Sequence, residues 1–74
     1  MINKTVKQES LKRLSRIRGQ VECLMRMIDE EKYCIDIIHQ SNAIRRAVEQ
    51  VALLVMKRHI ESCVADSMAS KELF

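Results

Sequence analysis

LSRIRGQVECLMRMI, residues 14–28, places Leu14, Ile17, Val21, Leu24 and Ile28 at alternating steps of three and four. That spacing keeps apolar side chains on one face of an α-helix, and no strand periodicity competes with it. The reading extends to a first helix over about Lys7 to Glu30. Gly19 sits inside it at a cost of roughly 1 kcal/mol relative to alanine, so it predicts close approach of another backbone. The acidic run Asp29 to Glu31 interrupts the stripe and predicts a tight connection, its carboxylates near the positive end of the next helix. A second helix follows over about Lys32 to Val64, with Ile37, Ser41, Ile44, Val48, Val51 and Val55 as its stripe and Ala52, Met56 and Ile60 widening it. The tail from Ala65 to Phe74 reads as the possible start of another helix, capped by Ser67 or Ser70, and too short to complete one.

The 74 residues form a single domain, 1–74, with no proline and one glycine, so nothing marks a linker or a β-turn. At 47% hydrophobic, the chain carries more apolar surface than a two-helix hairpin hides. The expected fold is all-α: two long antiparallel helices per chain forming a four-helix-bundle dimer, with a third helix truncated or absent. Aromatics are limited to Tyr33 and Phe74, which argues against the stacking platforms of single-stranded nucleic-acid binders. No signal peptide or bilayer-length apolar run appears, so a cytoplasmic protein with reduced thiols is expected.

Charge is segregated. Residues 1–28 carry Lys4, Lys7, Lys12, Arg13, Arg16, Arg18 and Arg26 against Glu9 and Glu22, and Arg45, Arg46, Lys57 and Arg58 stand on the second helix. A basic helix face suits duplex DNA, and equally suits plain solvation.

His59 and Cys63 are four residues apart on one face of the second helix and can chelate one ion. Cys34 lies 25 residues before His59. On a straight helix that is roughly 37 Å, so Cys34 joins them only from a second, antiparallel copy. Setting Cys34 beside a point between His59 and Cys63 puts the two-fold axis near Ala47 and Val48, an apolar mid-helix position. Two thiolates and one imidazole form a soft, three-coordinate set that matches Cu(I) better than Zn(II), Ni(II) or Co(II). Binding deprotonates the thiols, so affinity should fall at low pH. The competing reading makes Cys34 and Cys63 small buried hydrophobes and His59 an exposed helix residue. Cys23, Met25, Met27 and Met56 read as structural, and His39, off the face of Cys34, as solvated or capped by a neighbour. Tyr33 is either packing or a hydroxyl behind the ligands. No Gly-rich loop, pocket signal or orienting third residue suggests an enzyme.

RIRGQ (Arg16 to Gln20), YCIDII (Tyr33 to Ile38) and HIESCVAD (His59 to Asp66) resemble the CsoR-type copper-sensing transcriptional repressors, whose wider family includes nickel/cobalt, formaldehyde and persulfide sensors. The resemblance covers nearly the whole chain, and the Cys, His, Cys spacing is its most specific part. It implies a helical dimer, assembling into a tetramer, that binds double-stranded operator DNA without a helix-turn-helix and releases it on binding Cu(I). Carried over, the metal ligands are Cys34 from one subunit with His59 and Cys63 from the other. Tyr33 stands behind the ligands, and Arg13 is a basic position implicated in operator binding. Lys12, Arg16, Arg18, Arg45 and Arg46 join it as candidate DNA contacts from the charge pattern.

His59 separates this chain from the persulfide branch, and a cysteine at 63 separates it from the formaldehyde and nickel/cobalt branches. The chain departs from the pattern in two places. A third helix with a glutamate behind the metal site is expected where the sequence reaches Phe74, and Gln50 stands where a helix-2 arginine is often found. A copper-buffering bundle without a DNA partner and a thiol-redox (persulfide) sensor are the alternative functions.

Overall fold

A computed structural model describes residues 2–70, with side chains from 2 to 61. It contains two helices, α1 (Lys4–Asp29) and α2 (Cys34–Ser70), folded back on one another as an antiparallel hairpin. Helix α1 begins earlier than the apolar stripe indicates, because Asn3 caps it. Its side-chain oxygen accepts from the Val6 N–H at 2.8 Å, a contact worth about 1 kcal/mol. At the other end the chain leaves α1 through a Schellman turn. The Glu31 N–H donates to the Ile28 carbonyl at 3.1 Å and the Lys32 N–H to the Met27 carbonyl at 2.9 Å. Glu31 takes the left-handed conformation this turn requires, at φ 55°. The turn consumes Glu30 to Lys32, so α2 starts at Cys34 and not at Lys32. The Tyr33 carbonyl accepts from the N–H groups of Asp36 and Ile37, and Asp36 supplies the first-turn carboxylate that complements the helix dipole.

No glycine or proline interrupts residues 34–70, and α2 runs unbroken to Ser70. The segment from Ala65 to Ser70 therefore continues α2 instead of starting a new element, and no third helix occurs among the described residues. At 37 residues against 26, α2 overhangs α1. The last half-buried position among the described side chains of α2 is Arg58, and the first on α1 is Val6.

The buried and half-buried positions fix which faces meet. On α1 they step through Val6, Ser10, Arg13, Ile17, Gln20, Leu24 and Met27, and on α2 through Ile37, Gln40, Ile44, Ala47, Val51, Leu54 and Arg58. Both series keep the alternating three-and-four spacing of a helix–helix seam. Gln40 crosses the seam, donating from Nε2 to the Gln20 carbonyl at 3.3 Å. The stripe read from the sequence straddles this seam and a second face. Ile17, Leu24, Ile37, Ile44, Val51 and Val55 turn inward, whereas Leu14, Val21, Ile28 and Val48 remain 39–57% exposed. Met25 and Met56 are exposed as well, so only Met27 of the three methionines packs in the hairpin. Gly19 is exposed, and a Cβ there meets nothing within 4 Å. The close approach expected at Gly19 is thus absent from the hairpin.

Among the described side chains, Ile17 and Val51 are the only buried apolar residues, and none is fully enclosed. The molecule measures 55 × 22 × 12 Å, the thickness of one helix. A single layer of two helices has no second layer to complete a core. Viewed from the start of α1, residues advance clockwise along α1 and counterclockwise along antiparallel α2. Stripes displaced about 90–100° past each seam therefore emerge on the same side of the layer. On α1 that stripe is Leu11, Leu14, Val21, Met25 and Ile28. On α2 it is Cys34, Ile38, Ser41, Val48, Ala52 and His59. Together they form one open, largely apolar face.

Candidate metal centre

Cys34 is the first residue of α2, and its thiol is exposed and outside any disulfide. His59 is exposed near the overhanging end of the same helix. Twenty-five residues at 100° each bring them within about 20° of one line along the helix, and the unbroken helix keeps them roughly 37 Å apart. Both ligand candidates thus lie on the open apolar face, one at each end. Cys63 belongs to α2 by its backbone, and its side chain lies outside the described residues. No group of three His, Cys, Asp or Glu side chains comes together among the described residues of the single chain. Ala47, expected beside the axis, faces α1 and lines the seam, whereas Val48 is 45% exposed on the open face. A second copy laid face to face would therefore centre close to Val48. Tyr33 is 70% exposed beside Cys34. Cys23 is half-buried, and His39 is exposed.

The residues suit a soft ion. Thiolate and imidazole donors at opposite ends of one helix face supply no complete site alone, and an antiparallel copy brings unlike ends together. Cys34 and His59 would be the donors to such an ion, and a thiolate with an imidazole is a soft set that would suit Cu(I).

The opposite face of the layer is polar and holds a hollow of about 300 Å³ lined by Glu9, Arg13, Arg16, Ile17, Gln20, Ala47 and Gln50. The Arg13 Nε–H donates to Glu9 Oε2 at 2.9 Å. That hydrogen bond, reinforced by the charges of Arg13, Lys12 and Arg16, holds the Glu9 carboxyl below its ordinary range. Since Glu9 engages Nε, both terminal guanidinium nitrogens of Arg13 stay available for bidentate contact with a phosphate. Gln20 Oε1 is buried there without a hydrogen-bond partner. A neighbouring depression joins Arg13 and Gln50 to Lys57.

The six candidate DNA contacts divide between the faces. Arg13 and Arg16 line the hollow, Lys12 lies beside them, and Arg46 stands one turn before Gln50. Arg18 and Arg45 instead fall on the side of the apolar stripes, and Arg18 Nη2 donates to Ser15 Oγ at 3.4 Å. Glu9 and Gln20 escaped the sequence reading as members of this site. The Glu9–Arg13 spacing of four was the available signal, and nothing in the pattern singled out Gln20.

Residues 6–73 match the family model of metal-sensitive transcriptional repressors. The chain is 43% identical over 63 residues to the copper-sensing transcriptional repressor RicR of Mycobacterium tuberculosis, covering 85% of this chain and 66% of the relative. It is 39% identical over 64 residues to the copper-sensing repressor CsoR of Bacillus subtilis, covering 86% and 63%. The chain thus spans just under two thirds of the length of these curated relatives. The crystal structure of the copper-sensing repressor CsoR with Cu(I) from Geobacillus thermodenitrificans superposes with a TM-score of 0.83 at 37% identity, over 96% of this chain and 74% of that one. By the extent of the family match and the agreement in fold, the chain belongs to the metal-sensitive transcriptional repressors.

Proposed function

We propose that the chain is a Cu(I)-responsive transcriptional repressor that binds operator DNA without metal and releases it when Cu(I) binds between two copies. The observation that carries this reading is the position of Cys34 and His59 on one open face at opposite ends of one helix. An antiparallel dimer through that face brings Cys34 of one copy to His59 and Cys63 of the partner subunit, giving two equivalent sites. The apolar stripes of α1 and α2 supply the contact area a thin hairpin needs. The copper-sensing names of the relatives and the Cu(I) in the crystallised one favour copper over other soft ions.

The polar face is the DNA side, with Arg13 and Arg16 at its centre and Lys12, Arg46 and Lys57 around them. Its contacts are to phosphates, so affinity should fall steeply with salt. Metal and DNA act reciprocally: whatever factor Cu(I) takes from DNA affinity, DNA takes from Cu(I) affinity. Binding, not catalysis, is the activity. No described helix is long and apolar enough to cross a membrane, and we assign the protein to the cytoplasm, where thiols stay reduced.

Selecting duplexes from a randomised pool with the reduced, metal-free protein, then adding Cu(I) anaerobically, tests this reading. A selected sequence bound without metal and released by one Cu(I) per subunit supports it. Tight Cu(I) binding with no selected sequence would identify a copper-buffering bundle instead.

A further inference from the structure

The open stripe of α2 contains one residue that does not suit an apolar contact. Cys34, Ile38, Ser41, Arg45, Val48, Ala52 and His59 follow one another at alternating steps of four and three, apart from the Val55 turn, and Arg45 is the only permanent charge among them. Arg45 is exposed, three residues from the Val48 centre. Placing a guanidinium within an interface without a carboxylate is costly. Glu49, the nearest acidic residue along α2, is also exposed. The two are four apart in the arginine-first order, the weaker orientation for an intrahelical pair. The ion pairs found among the described residues, Arg13–Glu9 and Lys32–Glu30, use neither.

We infer that Arg45 pairs with Glu49 of the partner subunit across the two-fold axis, and that these two reciprocal ion pairs set the register of the dimer. The inference rests on the antiparallel dimer proposed above. In the register that places Cys34 beside His59 and Cys63 of the partner subunit, Arg45 stands level with position 50 of the other helix. Glu49 of the partner subunit is then within one residue, about 1.5 Å along the axis. Symmetry repeats the contact on the other side of Val48. Sliding α2 by about one turn in one direction sets Arg45 level with Leu54 of the partner subunit, away from the carboxylate, and by about two turns against Lys57 of the partner subunit. Sliding it the other way sets Arg45 beside Arg45 and Arg46 of the partner subunit. Apolar contacts tolerate such slips and like charges do not, so the pair selects the one register that assembles the metal ligands.

Charge reversal tests the pair. In a Cys23→Ser background, Arg45→Glu, Glu49→Arg and the double swap are compared with the parent in two assays. These are dimer dissociation by sedimentation, and crosslinking of Cys34 to Cys63 by a short bis-maleimide. Each single reversal is expected to weaken the dimer at least about tenfold and to reduce the intersubunit crosslink. The double swap should restore both to within about threefold of the parent. If the singles dimerise and crosslink like the parent, or the double swap is no better than the worse single, the pairing is wrong. Arg45→Gln and Glu49→Gln provide the same comparison without repulsion should a reversed variant fail to fold. An intrahelical pair would shift melting temperature independently of concentration, whereas the intersubunit pair makes the shift concentration-dependent. A parent that dimerises in this register yet fails to bind Cu(I) overturns the proposed function and leaves the register intact. A parent that stays monomeric at every concentration overturns both.

Discussion

Glu9 holds Arg13 through its Nε at 2.9 Å, one turn apart on α1, at the mouth of the polar hollow. Glutamate one turn before arginine is the favourable orientation on a helix. The contact fixes a long side chain while leaving its two terminal nitrogens available. Arg13→Ala should weaken operator binding about tenfold and lower the slope of log affinity against log salt by about one. Gel-shift titrations at several salt concentrations read both. An unchanged slope would remove Arg13 from the phosphate contacts.

The same pair has a pH signature. The Glu9 pKa is lowered in the folded chain by its hydrogen bond to Arg13 and by the neighbouring cations. Its stabilising contribution is therefore fully present above the ordinary glutamate value of 4.5 and is lost as pH falls through the lower folded value. A carbon-detected NMR titration should show Glu9 titrating below the other glutamates, and Arg13→Ala should return it toward the ordinary value. A Glu9 midpoint unaffected by that substitution contradicts the pairing.

Two backbone positions carry correctable costs. Gly19→Ala replaces a helix-interior glycine with open space around the new methyl, and should stabilise the protein by about 1 kcal/mol. Loss of stability would mean that another backbone packs on Gly19 in the assembly. Glu31→Gly relieves the left-handed strain at φ 55° and should stabilise by up to about 1 kcal/mol. Chemical denaturation at fixed protein concentration measures both.

The open face should behave as an interface. Val48→Asp places a charge at its centre, and should dissociate the dimer and lower the melting temperature more at low protein concentration than at high. Leu14→Asp should act in the same direction through α1. Concentration-independent melting of the unmodified protein would leave the face without its proposed partner.

The two long helices and the need for a partner were legible in the sequence because 3.6-residue periodicity and the absence of glycine and proline leave few alternatives. The division of the apolar residues between two faces was not. Leu14, Ile17, Val21 and Leu24 form one stripe on paper, yet the seam takes Ile17 and Leu24 and leaves Leu14 and Val21 outside. Polar residues explain the difference: Ser10, Arg13, Gln20 and Gln40 occupy seam positions that a hydrophobic count passes over. The helix starts were displaced because Asn3 and the Schellman turn at Glu31 act through backbone hydrogen bonds, which apolar spacing does not report. The long separation of Cys34 from His59 was readable from numbering alone, since helix rise fixes it. Which arginines share the polar face became apparent only once the seam was known.

The central claim is that one ion is shared between two chains. Its most direct test is anaerobic Cu(I) titration of the reduced protein against a tight competitor, with the coordination read by X-ray absorption. One Cu(I) per subunit, bound by two sulfurs and one nitrogen, is the expected result. The site should be lost in Cys34→Ala and in His59→Ala, and recovered when the two variants are mixed, because a mixed dimer retains one complete set of ligands. Weak binding, a sulfur-only signal indifferent to His59, or no recovery on mixing would contradict it.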